Sequence, residues 1–518
     1  MLTEIETEVV IAGAGPTGLM LAFELALAGV DTLVLEKLPR RAEQVKGGAI
    51  QPRTAELLEL RGLVEPLRAR ATTRDPVGGH FAMLPVPLDC TPWRTRHPYP
   101  IVIPQWVIEE VLEERAVARG ARILRDTEVT AVEPGDGLNA GEPGEPGEPC
   151  TVTSGGAGVT VTAGGFRVRA RYLVGCDGGR STVRKLLGLP FPGRPGTYLA
   201  VLADIRLSAA SSLVPERIGH ISGLTRQANG YWSMLAPIGG DRYRFTFGRE
   251  DQTDLTRDTP VGEEEIAAAL RALYGEETVL SGVDNSSRFT DATRQLERYR
   301  AGRVLFAGDA AHIHPPLGGQ GLNLGVQDAI NLGWKLAATV QGRAPDGLLD
   351  TYDTERHPVG AQVLHHTSAQ RVLADPRPSE DVAALRDIFV DLLRLPDANR
   401  HLAGLMSGLS LGYDLPGGHP VAGRRVPDAD LVTDAGPTRL SALFGAGQAV
   451  LLDLAGIIPA DIRLPSRIDL VHAKCTEDLG AAALLFRPDG YPCWAADDSA
   501  TCRATLPAAV TQHLAPLP

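Results

Sequence analysis

An α/β fold built on a parallel sheet is predicted by three observations. Two apolar, β-branched runs flank a glycine-closed helix near the N-terminus. A third such run returns near residue 303 and again ends in glycine. Between them lies a stretch of alternating character with a Gly-Gly turn. Strands joined through helices imply a doubly wound arrangement, and the alternating stretch implies a second, inserted sheet.

Thr7 to Ala12 reads as a buried parallel strand. Thr17 to Ala28 follows as a mostly apolar helix closed by Gly29. Asp31 to Glu36 is the second strand and completes a β-α-β unit. Gln105 to Arg119 is helical, with Ile108, Val111, Leu112 and Ala116 on one face and Gly120 as its stop. Arg122 to Val132 returns to strand, and the Gly-Glu-Pro repeats between Asn139 and Pro149 read as an exposed loop. Phe166 to Gly175 is again strand. Gly230 to Ile238 and Asp241 to Phe247 flank Gly239-Gly240 as a hairpin within a strand-rich Tyr198 to Gly248 region. Arg303 to Ala307 is a buried strand, and a long helix runs from near Gly321 to about Gln341. Leu415 to Pro427 is rich in glycine and proline and reads as a linker; Val450 to Leu454 is the strand of a further small unit.

Composition narrows the function. At 518 residues the chain is long enough for about three domains. Its formal net charge of −12 gives no broad electrostatic footprint for nucleic acid or a membrane surface. The start, Met1-Leu2-Thr3-Glu4, lacks the basic and apolar character of a signal peptide, so a cytoplasmic protein is expected. The six cysteines are scattered without a C-x-x-C pair, which predicts neither a disulfide framework nor a zinc site. His312 and His314 have no carboxylate cluster at ligand spacing, so no metal is expected.

Gly13-Ala14-Gly15-Pro16-Thr17-Gly18 is a G-x-G-x-x-G turn between strand and helix. Gly13 permits the tight turn, Gly15 lets backbone approach a pyrophosphate, and Gly18 allows close helix–strand packing. The helix start, with Pro16 and Thr17, offers N–H groups and partial positive charge to phosphates. Glu36 closes the second strand, where a carboxylate accepts from ribose hydroxyls. This predicts a dinucleotide site, and a second feature selects FAD over NAD. Gly308-Asp309 ends the third strand where a carboxylate reaches a sugar-like chain. Gly318-Gly319-Gln320-Gly321 then aims the next helix at the same crevice, where its positive end suits the electron-rich edge of a reduced flavin.

The sequence resembles the class A FAD-dependent aromatic hydroxylases of the para-hydroxybenzoate hydroxylase fold, and within them the aromatic polyketide hydroxylase branch. Four motifs carry the resemblance: Gly13 to Gly18; Cys176-Asp177-Gly178-Gly179-Arg180 through Arg184; Gly308-Asp309 through Asn323; and Tyr352-Asp353-Thr354-Glu355-Arg356-His357-Pro358. It implies a Rossmann-like FAD-binding domain with an inserted β-sheet substrate domain and a C-terminal thioredoxin-like domain without redox cysteines. The implied divisions are 1–185 with 285–370 for FAD, 186–284 for substrate, 371–414 as a helical connection and 415–518 for the last domain; segments near 75–105 join the substrate domain.

The same resemblance implies residue roles. Glu36 binds the adenosine ribose, with Lys37 along the adenosine or simply solvated. Arg53 contacts the phosphate region, Gln105 touches FAD, and Val129 packs near the adenine or only in the core. Asp177 and Gly178 belong to the motif shared by FAD and nicotinamide, and Asp309 binds the ribityl chain. Pro316, Gly319 and Gly321 shape the flavin turn, and Leu322 and Asn323 present backbone N–H groups to the C2 edge. Arg180 and Arg184 are a phosphate patch or an ordinary basic surface. His312 is a hydrogen-bonded part of the turn, and the Tyr352 motif is structural. Gly47-Gly48, beside the ring, would let it swing between inner and outer positions.

The implied reaction is hydroxylation of a polycyclic aromatic polyketide in antibiotic biosynthesis. NAD(P)H binds transiently and O2 is activated as a flavin C4a-hydroperoxide. No protein base is named as catalytic. Trp93, Tyr231, Trp232, Phe245 and Phe247 are candidate substrate walls, of which alternation turns about half away. Baeyer–Villiger oxygenation of a polyketide quinone, antibiotic-inactivating hydroxylation and a non-catalytic flavin-binding scaffold remain alternatives, and homo-oligomers are compatible with the sequence.

Overall fold

The computed structural model describes residues 2–42, 47–73, 75–135, 158–249, 255–416 and 418–514. The Gly-Glu-Pro tract lies outside these residues, as does Cys150.

The central sheet places its strands in the order Arg300–Ala301, Val304–Phe306, Phe166–Gly175, Thr3–Ala12, Thr32–Leu35 and Arg122–Leu124. From Val304–Phe306 onward these neighbours are parallel. The first strand begins at Thr3, not Thr7. Its leading half alternates exposed glutamates with paired positions and so carries no apolar run, yet Thr3 to Thr7 pair with Phe166 to Ala170.

The strand read as Arg122 to Val132 is two strands, Arg122–Leu124 and Val129–Pro134. The chain reverses at Asp126, whose φ of 53° is left-handed, a region an aspartate tolerates better than most residues. Val129–Pro134 then pairs antiparallel with Val159–Ala163. The other elements lie within a few residues of their expected places, including helices Pro16–Leu27, Gln105–Ala118 and Gly321–Val340.

Register positions the chemistry. Ala12 is level with Leu35 and with Gly175, Gly175 with Phe306, and Leu35 with Leu124. The residues that follow, Gly13, Glu36, Asp177 and Gly308, therefore leave the sheet together at its carboxyl edge, where open α/β sheets bind ligands.

The inserted sheet is antiparallel, in the order Thr225–Ala228, Tyr231–Gly239, Arg242–Arg249, Leu199–Ala209 and Val279–Thr290. Its hairpin turns at Gly239 and Gly240, with φ of 120° and 62°. Alternation splits its faces. Val201, Ala203, Ile205, Phe245 and Phe247 pack on Ile266 and Leu270 of helix Glu263–Tyr274. Leu202, Asp204, Arg244 and Thr246 face the other way, towards the central sheet's carboxyl edge.

Helices Thr351–Leu373, Glu380–Leu393 and Pro396–Ser407 lead to a C-terminal sheet of six strands covered by helix Ser499–His513. Leu451, Leu485 and Trp494 of that sheet share a core with Trp334 and Ala338, so this unit is packed onto the Gly321–Val340 helix. No helix among the described residues is long and apolar enough to cross a membrane.

Candidate flavin and substrate site

One cavity of about 1780 Å³ runs from the glycine turn to the inner face of the inserted sheet. Sites for a single drug-sized ligand occupy roughly 300–1,000 Å³, so this space admits a dinucleotide and a second molecule.

The glycine turn has the shape a pyrophosphate requires. Gly13 has φ 101°, and a Cβ there would lie 2.6 Å from the Cys176 carbonyl oxygen. A Cβ on Gly18 would lie 2.0 Å from the Gly13 oxygen, whereas nothing lies within 4 Å of one on Gly15. Gly13 and Gly18 are fixed by packing, and Gly15 leaves the approach to the backbone open. Glu36 accepts the Ala14 N–H at 2.8 Å through one carboxylate oxygen and the Leu38 N–H at 2.9 Å through the other. Its carboxylate is thereby held over the turn with lone pairs to spare for a diol.

Asp177 accepts the Thr182 and Val183 N–H groups, at 2.6 and 3.1 Å, through Oδ2. Its Oδ1 is buried without a partner, a lone acceptor on the cavity wall. Asp309 is exposed at the same wall, beside Gly321. Pro16, Thr17, Lys37, Gln105, Val129, Gly178, Pro316, Gly319 and Leu322 also line the cavity. Gln105 accepts the Gly47 N–H at 3.0 Å, and its amide donates to Glu109 at 2.8 Å. Burial pushes the Glu109 carboxyl up to about 7, against the opposing pull of Gln105 and Arg41.

One expected contact, that of Arg53, is not built as the sequence suggested. Arg53 does not line the cavity. Its guanidinium is buried, donates to Glu56 at 2.9 Å and lies 4.7 Å from the Tyr491 ring centre, so it faces the C-terminal unit. It follows Pro52 at the start of helix Pro52–Glu59, and this helix turns that position inward. The Asn323 side chain, for which no cofactor contact was expected, accepts the Gln51 N–H at 2.7 Å and donates to the Ala49 and Gly319 carbonyls. It therefore ties the Gly47–Gln51 segment to the flavin turn. The N–H groups of Leu322 and Asn323 belong to the helix's first turn, which lacks intrahelical acceptors.

His312 is fully buried, 2.7 Å from Asp328 Oδ2. Asp328 also accepts the Gly308 N–H at 3.1 Å and Arg356 Nε at 2.7 Å, which links the Tyr352 motif to the loop carrying Asp309. Arg184 is neither phosphate patch nor open surface: it is buried, donates to the Ala310 and Gly179 carbonyls and lies over Phe191. Arg180 is exposed and pairs with Asp258.

Of the aromatic residues weighed as substrate walls, only Trp232 lines the cavity. Phe245 and Phe247 are buried behind the inserted sheet, and Tyr231 packs against that core. Trp93 lies against Gly404 and donates to the Arg400 carbonyl. Residues the sequence reading passed over take their place. Arg244 donates to Asp204 at 2.9 and 2.7 Å, and Asp204 also accepts from Asn285. The available signal was a charge at an inward position of an alternating strand.

A model of the FAD binding domain family matches residues 6–367. The chain belongs to this family. A model described as aromatic-ring hydroxylase, C-terminal, matches residues 419–516 of this flavin-dependent monooxygenase. The 12-dehydrotetracycline 5-monooxygenase/anhydrotetracycline 6-monooxygenase of Streptomyces rimosus is 48% identical over 502 residues, 94% of this chain and 95% of the relative. A dialkyldecalin synthase of Streptomyces rugosporus is 41% identical over 489 residues, 94% of this chain and 96% of the relative. The solved structure of the OxyS anhydrotetracycline hydroxylase from Streptomyces rimosus superposes with a TM-score of 0.86 at 44% identity, covering 99% of this chain and 100% of that one. These likenesses extend the class A aromatic hydroxylase fold over the whole monooxygenase, including its thioredoxin-like C-terminal unit.

Proposed function

We propose that this FAD-dependent monooxygenase uses NAD(P)H and O2 to hydroxylate a polycyclic aromatic polyketide in the formation of an antibiotic. One observation carries the reading: the cavity is continuous from the dinucleotide turn to the face of a separate sheet. A cofactor and a large flat substrate would thus share one continuous space. Relatives named for tetracycline-type monooxygenation and hydroxylation support the substrate class.

Gly13, Gly15, Pro16 and Thr17 would hold the pyrophosphate, with Gly18 letting the helix pack close behind the turn, Glu36 and Lys37 the adenosine ribose, and Val129 the adenine. Asp177, Gly178 and Asp309 would hold the ribityl side. Gln105, Pro316, Gly319, Gly321 and the Leu322 and Asn323 amides would frame the ring. Bound FAD supplies the redox chemistry, taking electrons from the nicotinamide and activating O2. The chain's work is orientation and exclusion of water. Amides at the start of helix Gly321–Val340 would meet negative charge on the ring's C2 edge. The Asn323 side chain fixes that helix start against the Gly47–Gln51 segment through its bonds to Gln51 and Ala49. The reading keeps 1–185 with the chain from 291 to 370 as the FAD unit; because strand Val279–Thr290 pairs with Leu199–Ala209, the substrate unit runs over 186–290 and does not end at 284 as expected, and 371–414 connects to 415–518, in a cytoplasmic protein free to form homo-oligomers.

The dialkyldecalin synthase relative carries a name for a different reaction, so the scaffold alone does not fix the chemistry. NAD(P)H oxidation and O2 uptake, with and without a polycyclic phenol, test the proposal. Oxygen uptake coupled to formation of a ring hydroxyl supports it. Turnover of a polyene without oxygen consumption contradicts it.

A further inference from the structure

Two loops meet at the substrate-sheet end of the cavity, 78–84 and 218–224, and each carries a histidine, of which His80 reaches the cavity wall. His80 lines the cavity, and its Nδ1 accepts the Met83 N–H at 3.2 Å. A backbone amide only donates, so the proton of the neutral ring sits on Nε2. That Nε2–H has no partner among the described residues. Burial, and His220 close by, push the His80 ring down to about 4, so it stays neutral near pH 7.

The turn that sets this tautomer is strained and braced. Ala82 and Met83 have φ of 51° and 58°, in the left-handed region that disfavours residues with a Cβ. The Ala82 N–H donates to the fully buried Gln370 at 3.1 Å. Across from it, His220 is tied to Ser222 through Nδ1. Met83, Ile221 and Leu224 supply apolar wall beside them.

We propose that His80 is a specificity-determining residue that donates from Nε2 to a carbonyl oxygen of the polycyclic substrate. The proposal rests on the polycyclic aromatic reading above. A fixed donor in apolar surroundings suits an acceptor with no proton of its own, as in a quinone or ring ketone. A ligand lacking that oxygen leaves a desolvated N–H unpaired, which is how sites built around a hydrogen bond discriminate.

The test uses two probes, 1-hydroxyanthraquinone and 1-hydroxyanthracene, which differ by the quinone oxygens. Calorimetric titration of the FAD-loaded protein gives both affinities for wild type, His80→Asn and His80→Gln. Asparagine keeps an acceptor for the Met83 N–H but withdraws the donor; glutamine restores an N–H at the reach of Nε2. His80→Asn is expected to weaken the quinone about tenfold and to change the hydroxyanthracene by less than about twofold. His80→Gln should recover most of the quinone affinity. Equal losses for both probes would reduce His80 to a support of its loop and overturn the proposal, as would an unchanged quinone affinity. If wild type binds neither probe, the polycyclic reading itself fails, and the His80 assignment with it.

Discussion

Arg487 donates to both carboxylate oxygens of Glu355, at 2.7 and 2.9 Å, from the C-terminal sheet into the helix that carries the Tyr352 motif. Asn331 of helix Gly321–Val340 donates to the same carboxylate at 2.7 Å, and Lys335 lies 2.8 Å from it. Burial opposes ionisation of Glu355, but Arg487 and Lys335 outweigh it and hold the carboxyl far below its usual range. The next residue, Arg356, reaches Asp328 and through it Gly308. The C-terminal unit is therefore wired to the loop and helix that frame the proposed flavin site.

Removing one partner of a buried ion pair strands the others. Arg487→Met leaves Glu355 and Asp489 without their shared cation and is expected to cost about 3–5 kcal/mol. Chemical denaturation of the variant measures this, and a loss under about 1 kcal/mol would show the link to be incidental.

Glu109 gives a pH signature. Its folded pKa near 7 exceeds the ordinary value of 4.5, so the fold favours the protonated acid. No penalty exists below pH 4.5; it grows as pH rises towards 7 and is complete above. The side chain is 9% exposed, so solvent screens it little. Glu109→Gln should therefore match wild type at pH 4 and exceed its stability by about 1–3 kcal/mol at pH 8. Urea unfolding at the two pH values reads this directly; a gain of equal size at pH 4 would assign the effect to packing.

Gly47 and Gly48 differ in the room they have. A Cβ on Gly47 would lie 3.0 Å from Leu322 Cδ1, whereas one on Gly48 meets only Arg244 Nη1 at 3.9 Å. Gly48→Val should fold and bind FAD, yet narrow the space between the ring and Arg244. Stopped-flow reduction by NAD(P)H is expected to slow about 10–100-fold, with a smaller change in FAD affinity. Unchanged reduction would remove this segment from any movement of the ring.

Glu36 holds the dinucleotide turn through the Ala14 N–H. Glu36→Ala deletes that charge-assisted bond and the acceptor for the ribose, and should weaken FAD about 10–100-fold. Flavin fluorescence titration measures the change. An affinity within about twofold of wild type would leave Glu36 only a local backbone role.

What was legible in the sequence was local. The G-x-G-x-x-G turn, its flanking strands and Glu36 lie within one β-α-β unit, so spacing alone placed them. Gly308-Asp309 and the start of the helix at Gly321 were legible because glycines mark both. Arg53 was not, because its neighbours beyond Glu56 on its own helix, Gly408 and Tyr491, come from distant parts of the chain. Trp93 was drawn away in the same manner by helix Pro396–Ser407. His80 escaped notice because its tautomer depends on a left-handed turn at Ala82 and Met83, where no glycine announces one.

The most direct test of the central claim is the NMR structure of the product formed from a polycyclic aromatic polyketide under labelled O2 with NAD(P)H. The account expects one labelled oxygen as a hydroxyl on an intact carbon skeleton. Labelled oxygen inserted into a ring C–C bond as an ester or lactone, or a product without label, would contradict it.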